Sequence, residues 1–378
     1  MLTAFFLSTA LLCGCSGGGN TGGSTTTPPQ TAATPTITTS SSNGAQNGAV
    51  IVALGPMVTG TSIYYTLDGS TPTTSSQQYQ APILIASNLT VNAIATATGF
   101  TNSAVATKTF TSNITSGAIV WSDEFSNSTT TSAQPNPSTW TYDIGTACCG
   151  NNELETYCAW ASTTSPCNPA NPNAYVGTDG YLHIVAEQPT AGAAVYTSAR
   201  LKSQGLFSFQ YGRIEARMML PESQGMWPAF WLLGDNIVTN PWPACGELDV
   251  MEHIDGANTP FGGPGTGTAP GYDWMQSSIH GTNLNGGKPY TATGFSAAAW
   301  HTYGMIWSKG QIQYYIDSPS NIYETFTPST QTGTWPFDTG PEFVILNLAV
   351  GGDWPGSPNS TTVFPSQMLV DYVRIYAN

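Results

Sequence analysis

Charge is what this chain has least of. Charged residues fill 8% of its 378 positions, and only eight are Lys or Arg against 22 Asp or Glu, for a net charge of −14. So few cations cannot neutralise a phosphate backbone, which excludes nucleic acid as a partner. The same surplus of negative charge repels sulfated and other anionic polysaccharides, whereas a neutral glycan is not opposed. Apolar residues nowhere recur at helical spacing, so long amphipathic helices are excluded. The one sustained apolar run, residues 2–12, is too short to span a bilayer. The four histidines, His183, His253, His280 and His301, are scattered without the spacing of a zinc site. Neither a nucleophile elbow nor a phosphate-binding loop occurs.

Glycine (40), proline (27) and aromatic residues (11%) are plentiful instead. Short β-type runs alternate with turn clusters along nearly the whole chain, which implies an all-β protein, and the length favours two domains. Within residues 34–114 the runs 49–53, 62–66 and 89–95 imply a small immunoglobulin- or fibronectin-like sandwich, with Asp68-Gly69 as a turn signal. Residues 117–378 imply a large antiparallel sandwich.

One stretch concentrates chemistry. In Gly246-Glu247-Leu248-Asp249-Val250-Met251-Glu252 three carboxylates fall within six positions among apolar, partly β-branched neighbours, so the local expectation is a strand. Glu247 and Asp249 then share a face, and a β-bulge at Val250-Met251 would return Glu252 to it. Three clustered acids cost stability and call for a reason. Glycoside hydrolysis with retention supplies one, because it uses two carboxyl groups roughly 5–5.5 Å apart. Counting the bulge, Glu247 and Glu252 stand about 13 Å apart along the backbone, a gap that two leaning glutamates can largely close. Asp249 between them would raise the pKa of a neighbouring carboxyl and keep the acid protonated.

This stretch resembles the active-site strand of glycoside hydrolase family 16 in its bulged, laminarinase form. Further matching segments are Val120-Trp121-Ser122-Asp123-Glu124-Phe125, Gly150-Asn151-Asn152-Glu153-Leu154-Glu155, Gly225-Met226-Trp227-Pro228-Ala229-Phe230-Trp231, Ser277-Ser278-Ile279-His280-Gly281, Gly351-Gly352-Asp353-Trp354-Pro355-Gly356 and Val370-Asp371-Tyr372-Val373-Arg374. The resemblance implies a catalytic β-jelly-roll, a concanavalin-like sandwich. It makes Glu247 the nucleophile, Asp249 its helper and Glu252 the acid/base, with no cofactor for catalysis. Asn151, Asn152, Arg200, Trp227, Trp231, His280 and Trp354 become substrate-binding candidates, the tryptophans because sugar C–H faces stack on flat rings. It also implies a structural calcium held by the Asp371 carboxylate and by backbone oxygens near Glu124 and Gly180. The expected activity is endo-hydrolysis of β-1,3-glucan by a monomer. Mixed-linkage hydrolysis, transglycosylation and a non-catalytic glycan-binding lipoprotein are the alternatives.

The 34–114 sandwich, through Tyr64-Tyr65-Thr66-Leu67-Asp68-Gly69, resembles the small C-terminal domain of chitobiases and β-hexosaminidases. With no tryptophan before position 121 it reads as a spacer rather than a binding module. Residues 1–15 read as an export signal. Leu12-Cys13-Gly14-Cys15 resembles a bacterial lipobox, so Cys15 is the lipidation candidate, and residues 16–33 form a Gly/Ser/Thr/Pro linker. The expected location is the bacterial surface or the medium, with the lipid as the sole membrane contact. Export favours disulfides: Cys158 with Cys167, or a bond from the Cys148/Cys149 pair, leaving Cys245 as the odd, buried thiol.

Overall fold

Alternation of apolar and polar side chains is realised as strands throughout the computed structural model, which describes residues 30–146, 150–254 and 274–378. Cys15, the expected export signal, most of the linker and the Cys148/Cys149 pair lie outside the described residues. Two curved sheets form the large sandwich. One runs, in spatial order, through Ser208–Phe209, Glu342–Val350, Met226–Gly234, Glu247–Glu252, Met275–Gly281 and Leu284–Tyr290. The other is eight-stranded and centres on Ser366–Tyr376 and Gly212–Met219. Both inner faces contribute to one core, in which Phe230, Leu248, Met305, Trp307 and Leu346 are fully enclosed. All nine residues of Glu342–Val350 are buried, so this strand is the spine of the first sheet.

The N-terminal region is a sandwich, but not a separate one. Thr61–Thr66, Gln77–Gln78, Leu89–Ala97 and Ala106–Phe110 make its own four-stranded sheet. Its second sheet, Thr36–Ser40, Val50–Gly55 and Ile83–Ile85, continues into the large sheet through a parallel pairing of Ile83 and Leu84 with Ser208 and Phe209. Period-two alternation explains the fusion, because one strand can serve two cores. Val52, Leu54, Ile83 and Ile85 face the small core, while Ile51 and Leu84, on the opposite face, enter the large one. Asn43 reinforces the joint by accepting a hydrogen bond from the Trp121 indole at 2.7 Å. The module also begins earlier than residue 34: Ala32 is buried and bonds through its N–H to the Thr101 carbonyl. At Asp68-Gly69 the turn forms, with Gly69 at φ +79°. The returning strand pairs only at Gln77–Gln78, so this is a long loop rather than a tight hairpin.

Of residues 150–157, only Glu155–Tyr157 is a strand, paired in parallel with Tyr196–Ser198. Gly212–Met219 is less solvated than its charges suggest. Glu215 is buried and takes hydrogen bonds from Arg213, Tyr315 and Tyr376, so a buried carboxylate sits inside a satisfied network. Cys158 and Cys167 form a disulfide, and Cys245 is free and buried.

Candidate active site

The acidic strand Glu247–Glu252 lies between Met226–Gly234 and Met275–Gly281, and the register shows how the bulge works. Trp231 pairs with Asp249 and Phe230 with Met251, so Val250 is the extra residue. Glu247 then stands opposite His280, Asp249 opposite Ser278, and Glu252 opposite Gln276. All six belong to one face. The bulge leaves the Val250 carbonyl without its ladder partner, and the Ser277 hydroxyl satisfies it at 2.7 Å. Val250 and Met251 both turn into the core.

On the open face the three carboxyls converge. Ligand atoms of Glu247, Asp249 and His280 lie within 4.8 Å of one another. The His280 Nε2 is 3.1 Å from Asp249 Oδ2 and 3.8 Å from Glu247 Oε1. Glu252 is held from both sides: the Trp227 indole donates to Oε1 and the Ser278 hydroxyl to Oε2, each at 3.1 Å. Asp249 is only 3% exposed. Burial is the largest influence on all three acids and raises each well above the ordinary carboxylate range. Repulsion from Asp249 adds to this at Glu247 and Glu252, while His280 opposes it. The cluster therefore retains protons near neutrality, which leaves one carboxyl able to donate while another is ionised.

Aromatic and charged residues flank the acids. Trp231 donates to the Asn347 Oδ1 at 2.7 Å, and the Arg200 guanidinium lies over its ring, 4.5 Å from the centroid. Arg200 also pairs with Asp143 at 2.9 Å, and its charge favours ionisation of Glu247. Trp227 meets the edge of Trp354 at 5.3 Å, and Trp354 in turn meets Trp274 at 6.0 Å. Trp227, Trp231 and Trp354 are each only partly buried.

Asn151 and Asn152, both exposed, bond to the neighbouring loop. The Asn152 amide donates to both carboxylate oxygens of Asp353 at 3.0 Å, and the Asn151 carbonyl accepts the Asp353 N–H. They thereby hold the loop that carries Trp354. The fit is close: at Gly352, with φ +109°, a Cβ would come within 2.8 Å of the Asn151 carbonyl oxygen.

The candidates Glu124, Gly180 and Asp371 come to the middle of Ser366–Tyr376, where Asp123 pairs with Val373 and Leu182 with Val370. There Arg374 takes both Glu124 carboxylate oxygens and Arg217 takes one oxygen of Asp371. A calcium ion would have to draw on main-chain carbonyls and share Asp371 with a guanidinium. Burial pushes the Cys245 thiol up to about 12, so it is inert at neutral pH.

Ser278, Gln276, Asn347 and Trp274 were not singled out from the sequence. Ser278 and Gln276 were legible, since they alternate with His280. Asn347 was marked by being the one polar residue inside an apolar run.

Residues 166–374 match the family model described as glycosyl hydrolases family 16, and residues 52–110 match one described as Fn3 associated. The Rhodothermus marinus protein named beta-glucanase is 36% identical over 267 residues, which cover 68% of this chain and 84% of that one. The laminarinase catalytic domain from Thermotoga maritima superposes with a TM-score of 0.56 at 31% identity, covering 70% of this chain and 99% of that one. For the endo-beta-1,3-glucanase from Pyrococcus furiosus the TM-score is 0.55 at 34% identity, covering 68% of this chain and 94% of that one.

Proposed function

From the premise that the chain belongs to family 16 of the glycosyl hydrolases, we propose that it is an endo-acting β-glucanase that cleaves β-1,3-glucosidic bonds with retention. The observation that carries the reading is the face shared by Glu247, Asp249 and Glu252 across the bulge at Val250. Glu247 attacks the anomeric carbon while Glu252 protonates the leaving oxygen. Glu252 then takes a proton from water, which releases the sugar from Glu247. Asp249, hemmed in by both glutamates and His280, keeps the proton count of the cluster suited to that exchange. No cofactor takes part. The bulged strand and the structural neighbour named endo-beta-1,3-glucanase support that linkage over mixed-linkage glucan.

Reducing ends released from linear β-1,3-glucan and from mixed-linkage glucan, measured side by side, test the linkage. Rapid release of mixed oligomers from the first is expected; activity on the second alone would overturn the specificity and keep the mechanism. Two further elements belong to the proposal. Export as a lipoprotein rests on residues 2–12 and Cys15, and a palmitate label lost in Cys15→Ser is its expected signature. A structural calcium near Asp371 rests on the register there; it is expected to raise the melting temperature of chelator-treated protein, and an unchanged value would remove it.

A further inference from the structure

A cleft of about 1330 Å³ separates the N-terminal module from the catalytic sandwich and contains none of the residues of the active site. It exceeds the roughly 300–1,000 Å³ that houses a compact ligand, so it suits an extended one. Its walls come from both units. The module contributes Tyr64, Gln78 and Asn88, and the catalytic sandwich contributes Gln210, Tyr211 and Asn240. From these observations we propose that the groove is a second carbohydrate site, which binds a neutral glucan chain remote from the point of cleavage. The inference rests on the reading of the protein as a β-glucanase for the identity of the glycan, but not for the groove itself.

Three features carry it. First, the lining has the chemistry of a sugar site: side-chain amides to bond hydroxyls, and tyrosine rings to cover C–H faces. Tyr64 is half-exposed on the strand Thr61–Thr66, whose neighbours Ile63 and Tyr65 turn into the small core. Second, charge is sparse in the lining and of both signs, namely Asp68, Lys309 and Asp338. The Asp338 carboxylate accepts from the Tyr211 hydroxyl at 3.2 Å and the Gly310 N–H at 2.9 Å, and Asp68 accepts from the Ser70 N–H and hydroxyl. So sparse and mixed a set does not select an ion of either sign, whereas a neutral ligand needs none. Third, the groove has fixed walls. The parallel pairing of Ile83–Ile85 with Ser208–Phe209 ties both units into one sheet, so the site need not be assembled by closing a hinge.

One wall also touches the chemistry. Pro336, which lines the groove, packs on Gly246, where a Cβ would meet its ring at 2.8 Å. Gly246 directly precedes Glu247. A chain held in the groove is thus held close behind the acidic strand, and a long glucan anchored there presents its other segments to the cleft at raised effective concentration. Oligosaccharides too short to reach both places gain nothing.

The test uses the full chain. Binding is read as electrophoretic retardation in gels containing linear β-1,3-glucan, with Glu247→Gln as the parent so that the polymer is not consumed. Tyr64→Ala and Asn240→Ala, one from each wall and both outside the catalytic machinery, are expected to weaken retardation about five-fold. In the active background the same two changes are expected to raise KM on the long polymer while leaving kcat and KM on a short oligosaccharide unchanged. Undiminished retardation in both variants would overturn the proposal. So would equal losses on long and short substrates, which would mark a structural effect. Should the wild type hydrolyse no β-1,3-glucan, the functional reading fails by that assay, while retardation lost in Tyr64→Ala would still establish a glycan site in the groove.

Discussion

Glu252, the proposed acid/base, shows how little of such a group's behaviour belongs to the residue itself. Burial and Asp249 raise its pKa, while the hydrogen bonds from Trp227 and Ser278 pull it down. These influences make opposite predictions for two substitutions. Asp249→Asn removes a like charge, lowers the pKa of Glu252 and moves the alkaline limb of the kcat profile to lower pH. Trp227→Phe removes a donor to the ionised form, raises that pKa and moves the limb to higher pH. A pH–rate profile of each variant checks both signs. Glu252→Gln is expected to cost about 10²–10⁴ in kcat, less on an aryl glycoside whose leaving group needs no proton. Away from the cleft, burial raises Asp235 to about 7. Its folded-state pKa lies above its unfolded value, so its stabilising contribution is complete below about pH 4 and is lost as the pH rises towards 7. Urea unfolding of Asp235→Asn should therefore gain on the wild type across that window, by on the order of 3–4 kcal/mol at most, and run parallel to it above.

The bulge is the device on which the acidic strand depends. Without it, Glu252 would turn into the core beside Leu248, and a buried lone carboxylate is among the costliest single features a sheet can hold. Ser277 is its support: Ser277→Ala leaves the Val250 carbonyl unsatisfied, which should cost about 1–3 kcal/mol and lower kcat by loosening Glu252. Deleting Val250 restores plain alternation with all three acids still on one face, so it should retain measurable hydrolysis. Inserting one alanine after Val250 reverses the face of Glu252 and should abolish it. Reducing-end assays on the two length variants distinguish these outcomes. At this scale the sequence was informative, because parity alone required an extra residue between Asp249 and Glu252. It was less informative where loops do the positioning. Asn151 and Asn152 belong to a matching segment, but their work of bracing the Trp354 loop depends on a partner some two hundred positions away.

The union of module and catalytic sandwich was the feature least legible beforehand. The runs 49–53 and 62–66 announced strands and Ile83–Ile85 did not, and alternation says only that two faces differ, not that both will be buried by different cores. Ile51 and Leu84 look like ordinary sandwich residues until Phe209 and Trp121 are placed beside them. A spacer could be removed without consequence. Here, deletion of residues up to 114 strips the edge of Ser208–Phe209 and uncovers part of the large core, so the truncated catalytic unit should melt several degrees lower, a shift of the size expected from about 2 kcal/mol or more. Calorimetry of the two proteins makes the comparison, and equal midpoints would restore the spacer reading.

The central claim is that Glu247 and Glu252 cleave β-1,3-glucan by double displacement. Proton NMR during the first minutes of hydrolysis of linear β-1,3-glucan tests it most directly, by following the anomeric signals of the new reducing ends. Double displacement requires that the β-anomer appears first and then mutarotates, with no product from Glu247→Gln. Initial formation of the α-anomer, or undiminished product from that variant, would contradict it.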